Sequence, residues 1–306
     1  MDRRCFLTKV GQLPLLAAAG MYPWTAARAS VDMGDATLTS ISDGSLVLPA
    51  TFFFAAMPQD ELLEIRQAFD ITGDQITPPC NAALLQMPGR TVLFDVGAGQ
   101  EFMPSAGTLI ETLDTLGIAP EDITDVVFTH AHPDHLWGLL DDFGDPVFTE
   151  ARFYMGQTEF DYWMNPNTVD QIGEARAAFA VGAKRRIEMI ADNTTLIRDG
   201  DEILPGVAAR ATFGHTPGHM AFEVRRGTEA TMILGDSIAN HHVAFLRPDW
   251  HSGADQDPSK AAQTRQSLLD QLAHEQTRIM GYHLPYGGMG RVVRKNGTYS
   301  FVAKDA

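Results

Sequence analysis

The strongest candidates for chemistry in this 306-residue chain lie in residues 130–135, which read His-Ala-His-Pro-Asp-His. Three of the 10 histidines fall in this run with one aspartate, and the four residues are His130, His132, His135 and Asp134. Imidazole and carboxylate groups suit zinc and related transition metals. A histidine-rich surface loop is the alternative interpretation, but so many ligand types in so short a run favour a metal site.

A buried strand is expected to position this run. Residues 125–129 are apolar on both faces, which is typical of an interior strand. The ligands would then emerge from the carboxyl end of the strand, where open α/β sheets place their sites. Asp134 and His135 would begin the turn into the next helix, and Pro133 would stiffen that turn.

The rest of the chain alternates between strand and helix patterns. Two hairpins are predicted, one joining strands 36–41 and 45–48 at 43–44 and one joining strands 83–87 and 91–95 at 88–89. Further strands are expected at 207–213, 220–225 and 230–235, and helices at 107–116, 156–164, 171–190 and 258–274. Two β-rich halves with helices predict an α/β domain whose sheets pack face to face, with helices outside.

Composition and charge narrow the class of protein. With 44% hydrophobic and 20% charged residues, the chain is typical of a globular protein. Its formal charge of −16 argues against nucleic acid as a partner, because such binding requires clustered Lys and Arg. Stable membrane association is not expected, because the apolar stretch from residue 10 to about 22 is too short to span a bilayer. Cys80 is interpreted as a small core residue.

Residues 1–29 are interpreted as a cleaved export segment. Arg3 and Arg4 precede the apolar stretch, and residues 27–29, Ala-Arg-Ala, offer a cleavage site. The start resembles a twin-arginine signal, so a periplasmic or secreted location is expected. An ordinary secretory signal or a membrane anchor is the alternative. No repeat or linker interrupts residues 30–306, which are predicted to form a single domain.

The run at 130–135 resembles the signature of the metallo-β-lactamase superfamily, and further marks of that superfamily follow in order. They are Asp95 in Phe-Asp-Val-Gly-Ala-Gly, His219 in Gly-His-Thr-Pro-Gly-His, Asp236 in Leu-Gly-Asp-Ser and His283 in Gly-Tyr-His-Leu-Pro. The resemblance covers about residues 36–300. It implies a four-layer αβ/βα sandwich, in which two packed mixed sheets are flanked by helices.

The resemblance also implies a cofactor of two divalent metal ions, most simply zinc, with manganese, iron or cobalt as alternatives. The implied ligands of one ion are His130, His132 and His219, those of the other are Asp134, His135 and His283, and Asp236 would bridge the two. Asp95 would accept a hydrogen bond from a ligand imidazole and orient it. His215 is expected to have a structural or supporting role.

The implied activity is hydrolysis. A hydroxide shared by the two metals would attack a lactone or ester carbonyl, and Asp134 or a metal-bound water would help the leaving group. The motifs are similar to those of the methyl parathion hydrolase and broad-specificity lactonase branch. An apolar ester or lactone, including acyl-homoserine lactones, is therefore the expected small-molecule partner, with organophosphate triester cleavage as a side reaction. Ala239, where quorum-quenching lactonases carry Tyr, and Trp137, where Gly is common, depart from the pattern.

Other functions stay open. A β-lactamase is the nearest, although such enzymes commonly lack a carboxylate at the position of Asp236. A diiron redox protein would favour Glu in place of His132, and a binding protein with a dead site would have no reason to keep every ligand. A homodimer is compatible with the resemblance. Aromatic residues that could line a pocket, although each type more often packs in a core, are Phe52, Phe53, Phe54, Phe160, Trp163 and Trp250, the first three expected in a strand.

Overall fold

The structure is a computed structural model that describes residues 29–303. Apart from Ala29, the predicted export segment lies outside the described residues, so export stays a prediction. Within residues 29–303, no helix has the length and apolar character needed to cross a bilayer.

The strands of the described chain are β1 (Ser30–Asp32), β2 (Thr37–Ser45), β3 (Leu48–Pro49), β4 (Gln75–Ile76), β5 (Pro79–Met87), β6 (Arg90–Phe94), β7 (Asp125–Val127), β8 (Arg152–Gly156), β9 (Thr194–Ile197), β10 (Glu202–Leu204), β11 (Val207–Ala211), β12 (Met220–Arg226), β13 (Glu229–Ile233), β14 (Arg278–Met280), β15 (Met289–Lys295) and β16 (Thr298–Ala303). The α-helices are α1 (Ala50–Phe54), α2 (Gln59–Ala68), α3 (Gly99–Phe102), α4 (Leu109–Thr115), α5 (Pro133–Leu136), α6 (Gln157–Met164), α7 (Thr168–Gln171), α8 (Ala177–Ile190), α9 (Val243–Leu246) and α10 (Pro258–Glu275).

Two seven-stranded sheets form the frame. The first has the order β1-β2-β5-β6-β7-β8-β9, and the second contains β10 to β16 in chain order. In the first sheet, β6 to β9 run parallel and the other neighbours antiparallel. In the second sheet, β13 and β14 are the parallel pair. Both sheets are therefore mixed, which confirms the predicted fold class.

Three apolar clusters define the four layers. The first lies between the sheets, where the rings of Phe94 from β6 and Phe222 from β12 are 5.5 Å apart. The second packs α4 and α8 against the outer side of the first sheet, with Leu113 and Ile187 fully buried. The third packs α10 against the outer side of the second sheet, with Leu269 fully buried. Burial of these apolar sheet and helix faces fixes the positions of the two sheets, and with them the strand ends that carry the candidate ligands.

The predicted hairpin at 43–44 is wrong, because β2 continues through this dipeptide. The pairing of β2 with β5 shifts register between Ser42 and Ser45, and the Asp43 carboxylate accepts hydrogen bonds from the backbone N of Ala98 and Leu109. Gly44 has a φ of 93°, and a Cβ there would lie 2.3 Å from the carbonyl oxygen of Ser105. Asp-Gly therefore forms a bulge that receives a neighbouring loop.

The helix predictions agree with the structure with one interruption. α4, α6 and α10 occupy the expected ranges, and the Asp257 side chain accepts a 3.0 Å hydrogen bond from Lys260 N at the start of α10. The helix expected over 171–190 forms only from residue 177, as α8, because Gly173 has a φ of 92° and the 3-10 turn Glu174–Arg176 follows it; α7 ends at Gln171.

The three phenylalanines at 52–54 lie in the short helix α1 rather than in a strand. Phe53 and Phe54 are buried, whereas Phe52 is 38% exposed. Short apolar runs fit either a strand or a buried helix, so their periodicity could not separate the two.

Candidate metal centre

The run at 130–135 leaves the carboxyl end of β7, as expected, and turns into α5 with Pro133 at the first helical position. His130 and His135 are fully buried, and His132 and Asp134 are 7% and 6% exposed. Three further loops meet them, and they follow β11, β13 and β14. The two sheets therefore deliver the candidate ligands from four separate strand ends.

Two aspartates and two histidines form one half of the site, called here the acidic group. His283 Nε2 lies 3.2 Å from Asp134 Oδ2 and 3.2 Å from Asp236 Oδ2. His135 Nε2 lies 3.4 Å from Asp134 Oδ2 and 3.3 Å from Asp236 Oδ1. Two carboxylates and two imidazoles thus direct their ligand atoms at one another.

Three histidines form the other half, called here the three-histidine group: His130, His132 and His215. The Nδ1 atom of His132 lies 3.1 Å from His130 Nε2 and 2.9 Å from His215 Nε2. The potential ligand atoms of the three rings lie within 4.8 Å of one another. His215 Nε2 is also 3.4 Å from Asp236 Oδ2, so Asp236 contacts both halves of the site.

A model of the family described as the metallo-beta-lactamase superfamily matches residues 77–283, more than half of the chain. The chain belongs to this superfamily. Metallo-beta-lactamase domain-containing protein 1 of Xenopus laevis is 27% identical over 139 residues, 45% of this chain and 54% of the relative. N-acyl homoserine lactonase AiiB of Agrobacterium fabrum is 25% identical over 182 residues, 51% of this chain and 61% of the relative. The chain thus spans between half and two thirds of the length of these relatives.

Solved structures of the superfamily share the fold. The structure of AidC, described as a dizinc quorum-quenching lactonase, superposes with a TM-score of 0.85 over 91% of this chain and 98% of that chain, at 24% identity. The structure of AbOPH, described as a hydrolase of the beta lactamase superfamily, gives a TM-score of 0.84 over 92% and 98%, at 27% identity. Membership of this superfamily agrees with the prediction of a metal-dependent hydrolase.

The two histidines in residues 214–219 have different hydrogen-bond partners. His219 Nε2 accepts a 2.9 Å hydrogen bond from Asp236 N, and His219 Nδ1 lies 2.7 Å from Thr212 Oγ1. Both ring nitrogens of His219 are therefore bonded within the protein. His215, which was expected to have a structural or supporting role, directs its Nε2 toward His132 and Asp236. Both ring nitrogens of His215 also have partners, Asp255 and His132, so the ligand role of His219 stays a prediction and His215 is a second candidate ligand in this loop.

Several polar groups behind the ligands fix the rings in place. Asp95 Oδ2 lies 2.7 Å from His135 Nδ1, and the Asp95 carboxylate also accepts hydrogen bonds from the backbone and hydroxyl of Thr129. The structure thus places the Asp95 carboxylate against the imidazole of a candidate ligand, His135. On the other side of the site, His283 Nδ1 lies 2.7 Å from the carbonyl oxygen of Pro79. Such partners orient a ligand ring and select its tautomer.

Asp255 contacts the candidate site, and the sequence did not point to it. Its Oδ1 lies 3.0 Å from His215 Nδ1, and its Oδ2 lies 3.4 Å from the guanidinium of Arg265 on α10. Both side chains are 5% exposed. The contact joins residues 40 positions apart. No local pattern in the sequence pointed to Asp255.

The electrostatics differ between the two halves. Burial and the neighbouring histidines hold the pKa of His130 well below its ordinary value, which leaves a neutral ring able to bind a cation. Burial also opposes the charge on His135, but the carboxylates of Asp134 and Asp236 raise the pKa of His135 well above its ordinary value. A metal ion binding to the acidic group would therefore displace a proton.

Three buried atoms in the acidic group test whether the site fits metal ions. Asp134 Oδ2, His135 Nε2 and Asp236 Oδ1 are buried without a hydrogen-bond partner. Buried polar atoms without partners are rare in native proteins. Carboxylate and imidazole atoms that face one another in this way fit divalent cations such as zinc. The Cys80 thiol, buried in the core, also lies near Asp134 and His283, and burial raises its pKa to about 12.

A small cleft of about 60 Å³ opens over the site. Its polar lining consists of His132, Asp134, Arg176, His215, Asp236 and His283. Its apolar walls include Leu46, Leu48, Phe52, Phe53, Phe102 and Phe179. A larger cavity of about 350 Å³ shares Phe53 and His283 with the cleft and is also lined by Phe54 and Ala239. Trp163 and Trp250 are buried in the apolar clusters, and Phe160 packs against one of them.

The buried carboxylate of Glu159 ties two ligand-bearing loops together. Its Oε1 accepts hydrogen bonds from Ala131 N at 2.9 Å and Trp163 Nε1 at 2.6 Å. Its Oε2 accepts hydrogen bonds from Thr216 Oγ1 at 2.7 Å and Gly218 N at 3.0 Å. Ala131 lies between the candidate ligands His130 and His132, and Thr216 follows His215. Glu159 therefore holds the three-histidine group together from behind.

We expect Glu159→Gln to lower the free energy of unfolding by about 1–3 kcal/mol, because the amide turns an NH₂ group toward buried donors and leaves at least one unsatisfied. Denaturant unfolding of the metal-free protein measures the change. Glu150→Gln, at an exposed position, is the matched control and should be neutral. Equal stability of the two variants would contradict the role assigned to Glu159.

Proposed function

We propose that this protein is a metal-dependent hydrolase that opens lactones or cleaves related esters at a dinuclear site. The observation that supports this most directly is the set of unpartnered buried atoms of Asp134, His135 and Asp236, two of whose residues, Asp134 and Asp236, line the cleft. A closed structural metal site would not open onto such a cleft, whereas a catalytic site keeps access for substrate and water.

The two metal ions would be held by the two halves of the site. In this proposal the three-histidine group binds one ion, with His219 as the alternative to His215, and Asp134, His135 and His283 bind the other. Asp236 is the proposed bridging ligand, because Asp236 Oδ1 faces His135 and Asp236 Oδ2 faces His215 and His283. Zinc is the preferred ion for this donor set, and manganese, iron or cobalt would also be accepted.

Two divalent cations bound here would supply an activated water and stabilise the oxygen on which charge develops. The chain itself contributes alignment, since Asp95, Asp255 and the Pro79 carbonyl hold three of the ligand rings. The apolar walls of the cleft limit access of bulk water. Asp134, which lines the cleft, is proposed to carry a proton to the leaving oxygen.

The substrate class is supported by the relatives and by the cavity. One curated relative is described as an N-acyl homoserine lactonase and one structural neighbour as a quorum-quenching lactonase. The larger cavity, with its mixed apolar and polar lining, has room for an acyl or aryl group beside His283. Organophosphate triester cleavage, as in the methyl parathion hydrolase branch, is proposed as a side activity. Export to the periplasm or medium through the twin-arginine-like leader is also proposed.

A substrate panel tests the proposal. The metal-loaded protein should hydrolyse acyl-homoserine lactones, aliphatic lactones or aryl esters with a kcat/KM at least about 100-fold above that for nitrocefin. Paraoxon-type triesters should be slower than the carbonyl substrates. Removal of metal with a chelator should abolish every activity, and zinc should restore it. Turnover of nitrocefin alone would identify a β-lactamase and contradict the proposed substrate class.

A further inference from the structure

Arg176 provides the cationic side chain in the lining of the cleft above the metal centre. It ends the 3-10 turn Glu174–Arg176, directly before α8. Its Nη2 donates hydrogen bonds to the carbonyl oxygens of Gly253 at 2.6 Å and Ala254 at 3.1 Å. The guanidinium carbon also lies 5.7 Å from the centre of the Phe52 ring. These contacts hold the guanidinium at the wall of the cleft.

The rest of the guanidinium has no partner within the described part of the chain. Nε and Nη1 take part in no hydrogen bond, and no carboxylate of residues 29–303 forms an ion pair with Arg176. The side chain is partly buried, and burial lowers the pKa of Arg176 from its usual value. A hydrogen bond from a charged donor to an acceptor is more favourable in such partly buried surroundings than it would be in water.

The position of Arg176 indicates what it could bind. Arg176 lines the same small cleft as His132 and Asp134, while the larger cavity shares Phe53 and His283 with this cleft and is not lined by Arg176. A group bound to Arg176 would therefore sit next to the scissile carbonyl. The planar donor edge of a guanidinium matches the oxygen of an amide or a carboxylate.

We propose that Arg176 is a specificity-determining residue that binds a second oxygen acceptor, an amide or carboxylate oxygen adjacent to the scissile lactone or ester. This proposal rests on the proposed hydrolase function and narrows it to substrates that carry such an acceptor. Lactones with a plain alkyl substituent should bind without this contact and gain nothing from Arg176.

The test compares two lactones on the same metal-loaded enzyme. One is N-hexanoyl-homoserine lactone, and the other is an α-alkyl-γ-butyrolactone of equal chain length that lacks the amide. Arg176→Met should lower kcat/KM for the amide lactone at least about tenfold, mainly through KM, and change the alkyl lactone little. Because both substrates are measured on one preparation, the ratio of the two values does not depend on the folded fraction. An α-carboxymethyl-γ-butyrolactone, which carries a carboxylate and no amide, separates a carboxylate preference from an amide preference.

Arg185→Met is the matched control, because Arg185 is an exposed arginine on the neighbouring helix α8. It should leave the ratio unchanged. Arg176→Lys keeps a positive charge without the planar fork and should recover only part of the discrimination. An equal loss for both lactones in Arg176→Met would mean that Arg176 only ties α8 to residues 253–254. The proposal is overturned by an equal loss for both lactones, and also by no change in either value.

Failure of the hydrolase proposal is distinguishable from failure of the Arg176 proposal. If the wild-type protein turned over neither lactone, the proposed function would be contradicted. Binding of N-hexanoyl-homoserine and its alkyl hydroxy-acid counterpart, measured by calorimetry, would then decide the role of Arg176. At least about tenfold tighter binding of the amide compound that is lost in Arg176→Met supports the role, and its absence overturns it.

Discussion

His215→Ala should bind one metal ion fewer than the wild-type protein and lose at least about 100-fold in kcat/KM. Loss of a group that merely orients a ligand typically costs 10–100-fold in metal affinity or activity, and loss of the ligand itself should cost more. The structure places His215 Nε2 2.9 Å from His132 Nδ1 and 3.4 Å from Asp236 Oδ2, among the atoms that would surround one ion. Elemental analysis of the purified protein gives the stoichiometry.

His219→Gln is the comparison that makes this prediction decisive. The glutamine carbonyl oxygen can take the place of His219 Nε2 and accept the hydrogen bond from Asp236 N. We therefore expect this variant to retain both metals, with a loss of about 1–3 kcal/mol in stability from the weakened buried contacts. If His219→Gln lost a metal while His215→Ala kept both, the ligand assignment would have to return to His219.

The choice between these two histidines shows where sequence reasoning reached its limit. Both lie in residues 214–219, next to glycine, and each is a reasonable ligand by residue type. The decision depends on long-range contacts, since Glu159 anchors the loop at Thr216 and Gly218 and the backbone of Asp236 captures the second ring. None of these partners is close in sequence to the loop, so the motif alone could not show how each ring is held.

Other parts of the molecule were predictable because local patterns determined them. The buried strand before residue 130, the long helix α10 and the hairpin of β5 and β6 each have a clear periodicity or turn. The bulge at Asp43-Gly44 was not predictable, because the same dipeptide forms tight turns, and the loop that it receives is about 60 residues away in sequence. Asp255 could not be predicted for a similar reason. Its carboxylate contacts His215 and Arg265 of α10, so its position depends on how α10 packs.

Replacement of Asp236 should have the largest effect on the joint binding of the two metals. It is the carboxylate that contacts both halves of the site, with its oxygens 3.3 Å from His135 Nε2, 3.4 Å from His215 Nε2 and 3.2 Å from His283 Nε2. Asp236→Asn keeps the shape but replaces two anionic oxygens by one neutral oxygen and a donor. We expect the metal content to fall toward one ion per chain and kcat/KM to fall at least about 100-fold.

The control for this variant is Asp142→Asn, which removes a carboxylate at an exposed position and should leave metal content and activity unchanged. Thermal unfolding of both metal-free proteins shows whether the fold is intact, so a lost metal can be separated from a misfolded chain. Retention of two tightly held metals with near wild-type activity in Asp236→Asn would contradict the bridging role. Because bridging is what lets two cations act on one water and one carbonyl, that outcome would also remove the basis for a dinuclear mechanism.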